Sequence, residues 1–271
     1  MKKNVLFIAV ALILNACGAG KALMSVEKST IVASIDLINV VEDRVQVDLN
    51  PGAFTTSTVI FRIPKTVPGT YSSDNYGKYI QDFKALDYKG AELKATKLDD
   101  NSWSVANGVN LDKVQYWVND TYDTENEVED AVFSPAGTNI AVGSNFMLNL
   151  HGFVGYFDGF KEVPYSILIN KPADLIATTT LSIEPNRKPD SLWDGFLAKR
   201  YFDVIDNPIM YAKPNTESFE INGITVTLSL FSPNNVYKAA DLKERMVSMM
   251  GAQKKFLGEV DSTKEYNILL Y

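Results

Sequence analysis

The sequence predicts a mainly β protein. It reads as an antiparallel β-sandwich or saddle, followed by a shorter segment of mixed helix and strand. Three observations carry this. Many short runs alternate apolar and polar residues and are broken by turn residues. Aromatics make up 11% of the 271 residues, among them 13 Tyr and 14 Phe, and with Val, Ile and Thr they favour strands. One stretch after Asn235 changes to helical spacing.

The elements follow in order. Met1-Lys2-Lys3 is basic, Val5 to Leu14 is uncharged and apolar, and Leu14-Asn15-Ala16-Cys17 follows. The apolar run is shorter than the ~20 residues of a membrane span and fits the core of a signal peptide, residues 1–16. Cys17 directly after Leu-x-Ala resembles a bacterial lipoprotein signal, in which that cysteine is lipidated. An ordinary signal peptide with an incidental cysteine is the alternative. Residues 17–28 are then a lipidated tether and residues 29–212 the β-rich domain. The expected address is the bacterial cell envelope, lipid-anchored, periplasmic or surface-exposed.

Residues 31–37 and 44–49 alternate as half-buried strands. Residues 58–63 read as a more buried strand, and 78–88 alternate again before the turn Asp87-Tyr88-Lys89-Gly90. Residues 103–106, 114–118, 146–150, 165–169, 179–183 and 201–205 continue the series. Residues 218–226 form a hairpin with Asn222-Gly223 at its turn. Leu242, Met246, Met249, Gln253 and Phe256 share one helical face, and Gly258 caps the helix. Residues 265–271 form a strand. The punctuation at Ala212-Lys213-Pro214-Asn215 separates residues 213–271 as the partial start of a second domain.

Composition limits the chemistry. The net charge of −7 argues against nucleic acid as a partner. One Cys and one His exclude a disulfide framework and any metal site built from several His or Cys. No metal ligand set and no catalytic residue is expected in this stretch. From Val114 to Phe160 there is no Lys or Arg, yet Asp120, Asp123, Glu125 and Glu127 fall here. They read either as a cation-attracting loop, for an amine or Ca²⁺, or as a solvated acidic loop. His151 reads either as a structural imidazole or as a site residue. Trp103, Trp117 and Trp193 read as core or sheet-face residues.

At Pro64-Lys65-Thr66-Val67-Pro68-Gly69-Thr70-Tyr71 the chain resembles the P-x-x-x-PG-x-Y segment of glycyl-aminopeptidase-like zinc peptidases. The resemblance continues through Asp74-Asn75-Tyr76, residues 80–85 and the Asp87–Gly90 turn. It extends over Trp103, residues 114–120, 165–172 and 204–209, then 252–257 and 266–270. It departs after the motif, with Ser72-Ser73-Asp74 where the family often has Arg and a bulky residue. The resemblance implies a saddle-like β domain followed by the truncated start of an α+β thermolysin-like catalytic domain. It implies zinc in the missing catalytic part, peptides with free N-termini as substrates, and Asn149 and His151 as neighbours of the substrate amine. The whole is then the N-terminal portion of a membrane-anchored zinc aminopeptidase, its 271 residues alone inactive. The alternative is a complete β-sandwich lipoprotein for binding or adhesion, without enzymatic activity.

Overall fold

A computed structural model describes residues 30–70, 72–122, 132–185, 192–259 and 263–271. The signal segment, Cys17, and Asp123, Glu125 and Glu127 lie outside these residues. Among the described residues the chain is mainly β, in four sheets.

The largest sheet has eight strands. In spatial order they are Ser182–Ile183, Trp193–Ala198, Tyr165–Asn170, Ile31–Val41, Arg44–Asn50, Leu111–Asn119, Ile80–Asp87 and Glu92–Leu93. Its pairings are antiparallel except between Ile31–Val41 and Tyr165–Asn170, which run parallel. A parallel pair needs a long crossover, and more than a hundred residues of intervening chain supply it. Alternation puts Ile31, Ala33, Ile35, Val45, Val47 and Leu49 into the core, while Ser34, Gln46 and Asp48 face outward.

Two four-stranded sheets pack on that inner face. One orders Tyr156–Phe157, Thr58–Arg62, Ser102–Ala106 and Ala95–Asp99. The other orders Ile176–Thr178, Ile209–Ala212, Asn145–Leu148 and Asn139–Ala141. Phe61 centres the core between the layers, its ring 5.3 Å from Phe83, 5.5 Å from Tyr116 and 5.3 Å from Phe157. Phe83 reaches this cluster because the ladder shifts register between Gln81 and Lys84, with Asp82 at φ 50°. That bulge re-aims the side chain.

The fourth sheet comprises Thr216–Ile221, Ile224–Leu230 and Glu265–Leu270. The Asn222-Gly223 hairpin forms with both residues at positive φ. The last two strands are parallel, joined through the helix Ala239–Leu257.

Three elements differ from the sequence reading. Residues 201–205 form a helical turn rather than a strand, because Tyr201 and Val204 are buried while Phe202 is exposed, a spacing of three. Of residues 179–183 only Ser182–Ile183 is strand, and the strand just before them, Ile176–Thr178, belongs to another sheet. The long helix is rotated. Ala239, Leu242 and Met246 turn toward the sheet, whereas Met249 is 48% and Phe256 90% exposed. Of the tryptophans, Trp103 is buried, Trp117 half-buried on the outer sheet face, and Trp193 37% exposed.

Candidate functional site

The described candidate residues converge on one stretch of backbone, residues 134–140. Pro135 lies in the first positions of a 3-10 turn, Ser134–Ala136, closed by the Gly137 N–H donating to the Ser134 carbonyl at 3.0 Å. Gly137 permits a close approach: a Cβ there would lie 2.6 Å from Thr121 Oγ1. Thr121 pairs with Thr138, its N–H and Oγ1 donating to the Thr138 carbonyl and its Oγ1 accepting from the Thr138 N–H.

Asn149 sits before the helical turn Leu150–Phe153, but its side chain does not cap that turn. Its amide donates to the carbonyls of Gly137 at 2.5 Å and Pro135 at 3.3 Å. His151, two residues on, places Nε2 3.0 Å from the Ala136 carbonyl. A carbonyl accepts only, so the neutral ring carries its hydrogen on Nε2. Burial pushes the imidazole pKa below its ordinary value, opposed by the carbonyls of Ala136 and Ile205 and the charge of Asp74. The His151 ring lies 4.4 Å from that of Tyr76, whose hydroxyl donates to Asp74 Oδ2 at 2.8 Å. Ser72 Oγ donates to Asp74 Oδ1. The segment following Pro68-Gly69-Thr70 is thereby coupled to the same wall.

Asp120 brackets the wall from the other side. It is 2% exposed, and its carboxylate accepts the Tyr122 N–H at 2.6 Å and the Ile140 N–H.

The outer side of this wall borders a cleft of about 560 Å³. Tyr122, Ser134, Pro135 and Asn139 line one side, and Leu269, Leu270 and Tyr271 of the last strand line the other. Asn149 and His151 sit behind the wall, 6% and 3% exposed. The hydroxyls of Tyr122 and Tyr271 bond to each other, and both reach the Ser134 carbonyl. Sequence reasoning missed Tyr122, Ser134 and Tyr271. Asp74 and Tyr76 fell within the motif segment, so their position there was the available signal. A larger groove of about 820 Å³ lies between the Ile176–Ile183 stretch and the fourth sheet, and none of the candidate residues lines it.

Among the described residues no three His, Cys, Asp or Glu side chains converge on a point that could hold a metal. His151 Nε2 is spent on a carbonyl. These described residues do not fit a zinc centre. No described helix is long and apolar enough to cross a membrane.

The fold has a solved counterpart. An aminopeptidase N family protein from Idiomarina loihiensis superposes with a TM-score of 0.73 at 19% identity, over 88% of this chain and 38% of that one. An M1 zinc metallopeptidase from Deinococcus radiodurans superposes with a TM-score of 0.45 at 7% identity, over 90% of this chain and 56% of that one. The chain thus spans 38% of the length of the first of these. No curated protein matches the sequence. The profile of the Peptidase M61 N-terminal domain matches residues 33–213, and the chain belongs to that family.

Proposed function

We propose that this chain is the N-terminal portion of a membrane-anchored zinc aminopeptidase, which hydrolyses peptides from a free N-terminus. Its β domain contributes one wall of the groove that receives the substrate amine. The observation that carries the reading is the convergence of Asp120, Asn149 and His151 on residues 134–140, facing Leu269–Tyr271 across the cleft. Family membership supports it. Asn149 and His151 act as positioning residues, fixing a wall they do not themselves line. The acidic residues Asp123, Glu125 and Glu127 attract the substrate's ammonium group electrostatically, whereas the buried Asp120 holds the wall itself. Zinc and the bond-breaking step belong to the remainder of the longer enzyme. Acylation of Cys17 supplies the envelope anchor.

The test is kinetic and uses the intact enzyme. Asn149→Ala and His151→Gln raise KM for substrates with a free N-terminal amine several-fold while kcat changes less. A general loss of folding would lower the amount of active enzyme without moving KM. Unchanged KM in both variants overturns the amine-wall role. Hydrolysis of a glycyl or alanyl anilide by the 271 residues alone, above a zinc-free control, overturns the division of labour. Cys17→Ser releases the protein from membranes; retention there removes the anchor.

A further inference from the structure

The outer face of the eight-stranded sheet carries a row of side chains that no peptidase role uses. The ladder registers place Trp117 opposite Gln46, Gln46 opposite Asp36, Asp36 opposite Asn170, and Asn170 opposite Trp193. Residues paired across strands share a face, so these five stand in one line across the sheet. Their strand neighbours Tyr116, Val47, Ile35 and Ile169 point the other way, into the core. The row therefore reads Trp, Gln, Asp, Asn, Trp. Its two indoles are four strand spacings apart, about 19 Å.

The middle of the row is held in place. Asn170 Nδ2 donates to Asp36 Oδ1 at 3.1 Å, and Asn39 Nδ2 donates to Asp36 Oδ2 at 2.7 Å. In the neighbouring row Asp48 accepts from Lys113 Nζ at 2.6 Å and from Gln115 Nε2 at 2.8 Å. Arg44 pairs with Glu42 and lies over Trp117, its Cζ 5.8 Å from the ring centroid. Both cations are matched locally by carboxylates, and Asp36 is held by amides and backbone N–H groups, so these residues offer no surplus positive charge to an anionic ligand.

We propose that this face binds an uncharged oligosaccharide chain. Sugar rings present C–H faces that stack on an indole and hydroxyls that pair with planar amides and carboxylates. Two indoles flanking three such groups match both features of an extended glycan. A peptide would add at a sheet edge, where backbone groups are open, rather than lie across a face. A nucleic acid would require surplus Lys and Arg. The inference is independent of the peptidase reading.

Affinity electrophoresis of the full chain tests it, through gels cast with hydroxyethylcellulose, laminarin, soluble starch or heparin. Retardation by at least one of the three neutral polymers is expected. Trp117→Ala and Trp193→Ala should each weaken it by about tenfold, the effect of a central aromatic anchor. Tyr237→Ala, at an exposed position in the loop before the long helix, should leave it unchanged. The unfolding midpoint of each variant is measured in parallel. Trp193, the more exposed indole, carries the test if Trp117→Ala unfolds. Retardation by none of the neutral polymers, by heparin alone, or undiminished in Trp193→Ala overturns the proposal.

Discussion

The phenol hydroxyls of Tyr122 and Tyr271 bond to each other across the cleft, although 149 residues separate them in sequence. Their rings meet edge to face, centroids 5.7 Å apart at 81°. Both hydroxyls also reach the Ser134 carbonyl. This contact ties the last strand to the wall of the β domain. Tyr122→Phe and Tyr271→Phe should each cost about 0.5–1.5 kcal/mol in urea unfolding. Because the two hydroxyls share partners, the double variant should cost less than the sum of the singles, with a coupling of about 0.5 kcal/mol or more. Additive losses would show that the hydroxyl pair does not couple the two regions.

Asp120 joins the ends of the same wall through two backbone N–H groups, those of Tyr122 and Ile140. Asp120→Asn keeps one acceptor oxygen but turns an NH₂ toward the other donor, leaving a buried N–H unmatched. The expected loss is about 1–3 kcal/mol by urea unfolding. Unchanged stability would mean that the carboxylate does not hold this segment.

His151 makes the wall sensitive to acid. Its folded pKa lies below the ordinary 6.5, because burial disfavours the imidazolium. Between that lowered value and 6.5 the unfolded chain binds a proton that the folded chain does not. The stabilising contribution is therefore fully present above pH 6.5 and is lost as the pH falls through the lowered folded value. His151→Gln should flatten the fall in stability just below pH 6.5, relative to wild type. Parallel pH profiles for the two proteins would remove His151 as the source.

The strands Ile31–Val41 and Arg44–Asn50 were legible because one face of each is buried and the other wet, which writes alternation into the sequence. Residues 201–205 were not, because a five-residue window with two buried positions fits either period. The helix was legible as a helix, but Met246, Met249 and Met250 allow two adjacent apolar stripes. Packing against the Ile224–Leu230 strand selects the one through Leu242 and Met246. Asn149 and His151 were reached through the family resemblance, not from a local pattern of residues. Their partners could not be reached, since the carbonyls of residues 135–137 carry no side-chain signature. The Trp117–Trp193 row was invisible for another reason: it exists only once the register of five strands is known.

Buried phenols set the alkaline limit. Tyr116, Tyr165, Tyr201 and Tyr211 all have pKa values raised above 10 by burial. The Tyr116 and Tyr201 hydroxyls donate to the carbonyls of Phe153 and Val154, at 2.7 and 2.8 Å. The unfolded chain ionises its tyrosines near pH 10, and the folded chain cannot follow at these positions. Stability is therefore intact below pH 10 and falls as the pH rises above it. Absorbance titration should show a cooperative step in tyrosine ionisation that coincides with unfolding. A smooth titration of every tyrosine with the fold intact would contradict this.

Two glycines should respond oppositely to alanine. Gly155 lies where the Phe157 strand joins the core, and a Cβ there would stand 2.3 Å from Phe61 Cζ and 2.5 Å from the Arg62 carbonyl. The Phe61 ring is locked among Phe83, Trp103, Tyr116 and Phe157 and cannot swing aside. Gly155→Ala should therefore cost about 1–3 kcal/mol or more through overpacking. Gly251 sits in the middle of the helix Ala239–Leu257, and a Cβ added there would meet nothing within 4 Å. Gly251→Ala removes backbone freedom from the unfolded chain and should stabilise by about 0.5–1 kcal/mol. Thermal unfolding of both variants checks the contrast. A neutral Gly155→Ala would mean that the packing around Phe61 is looser than its ring contacts indicate.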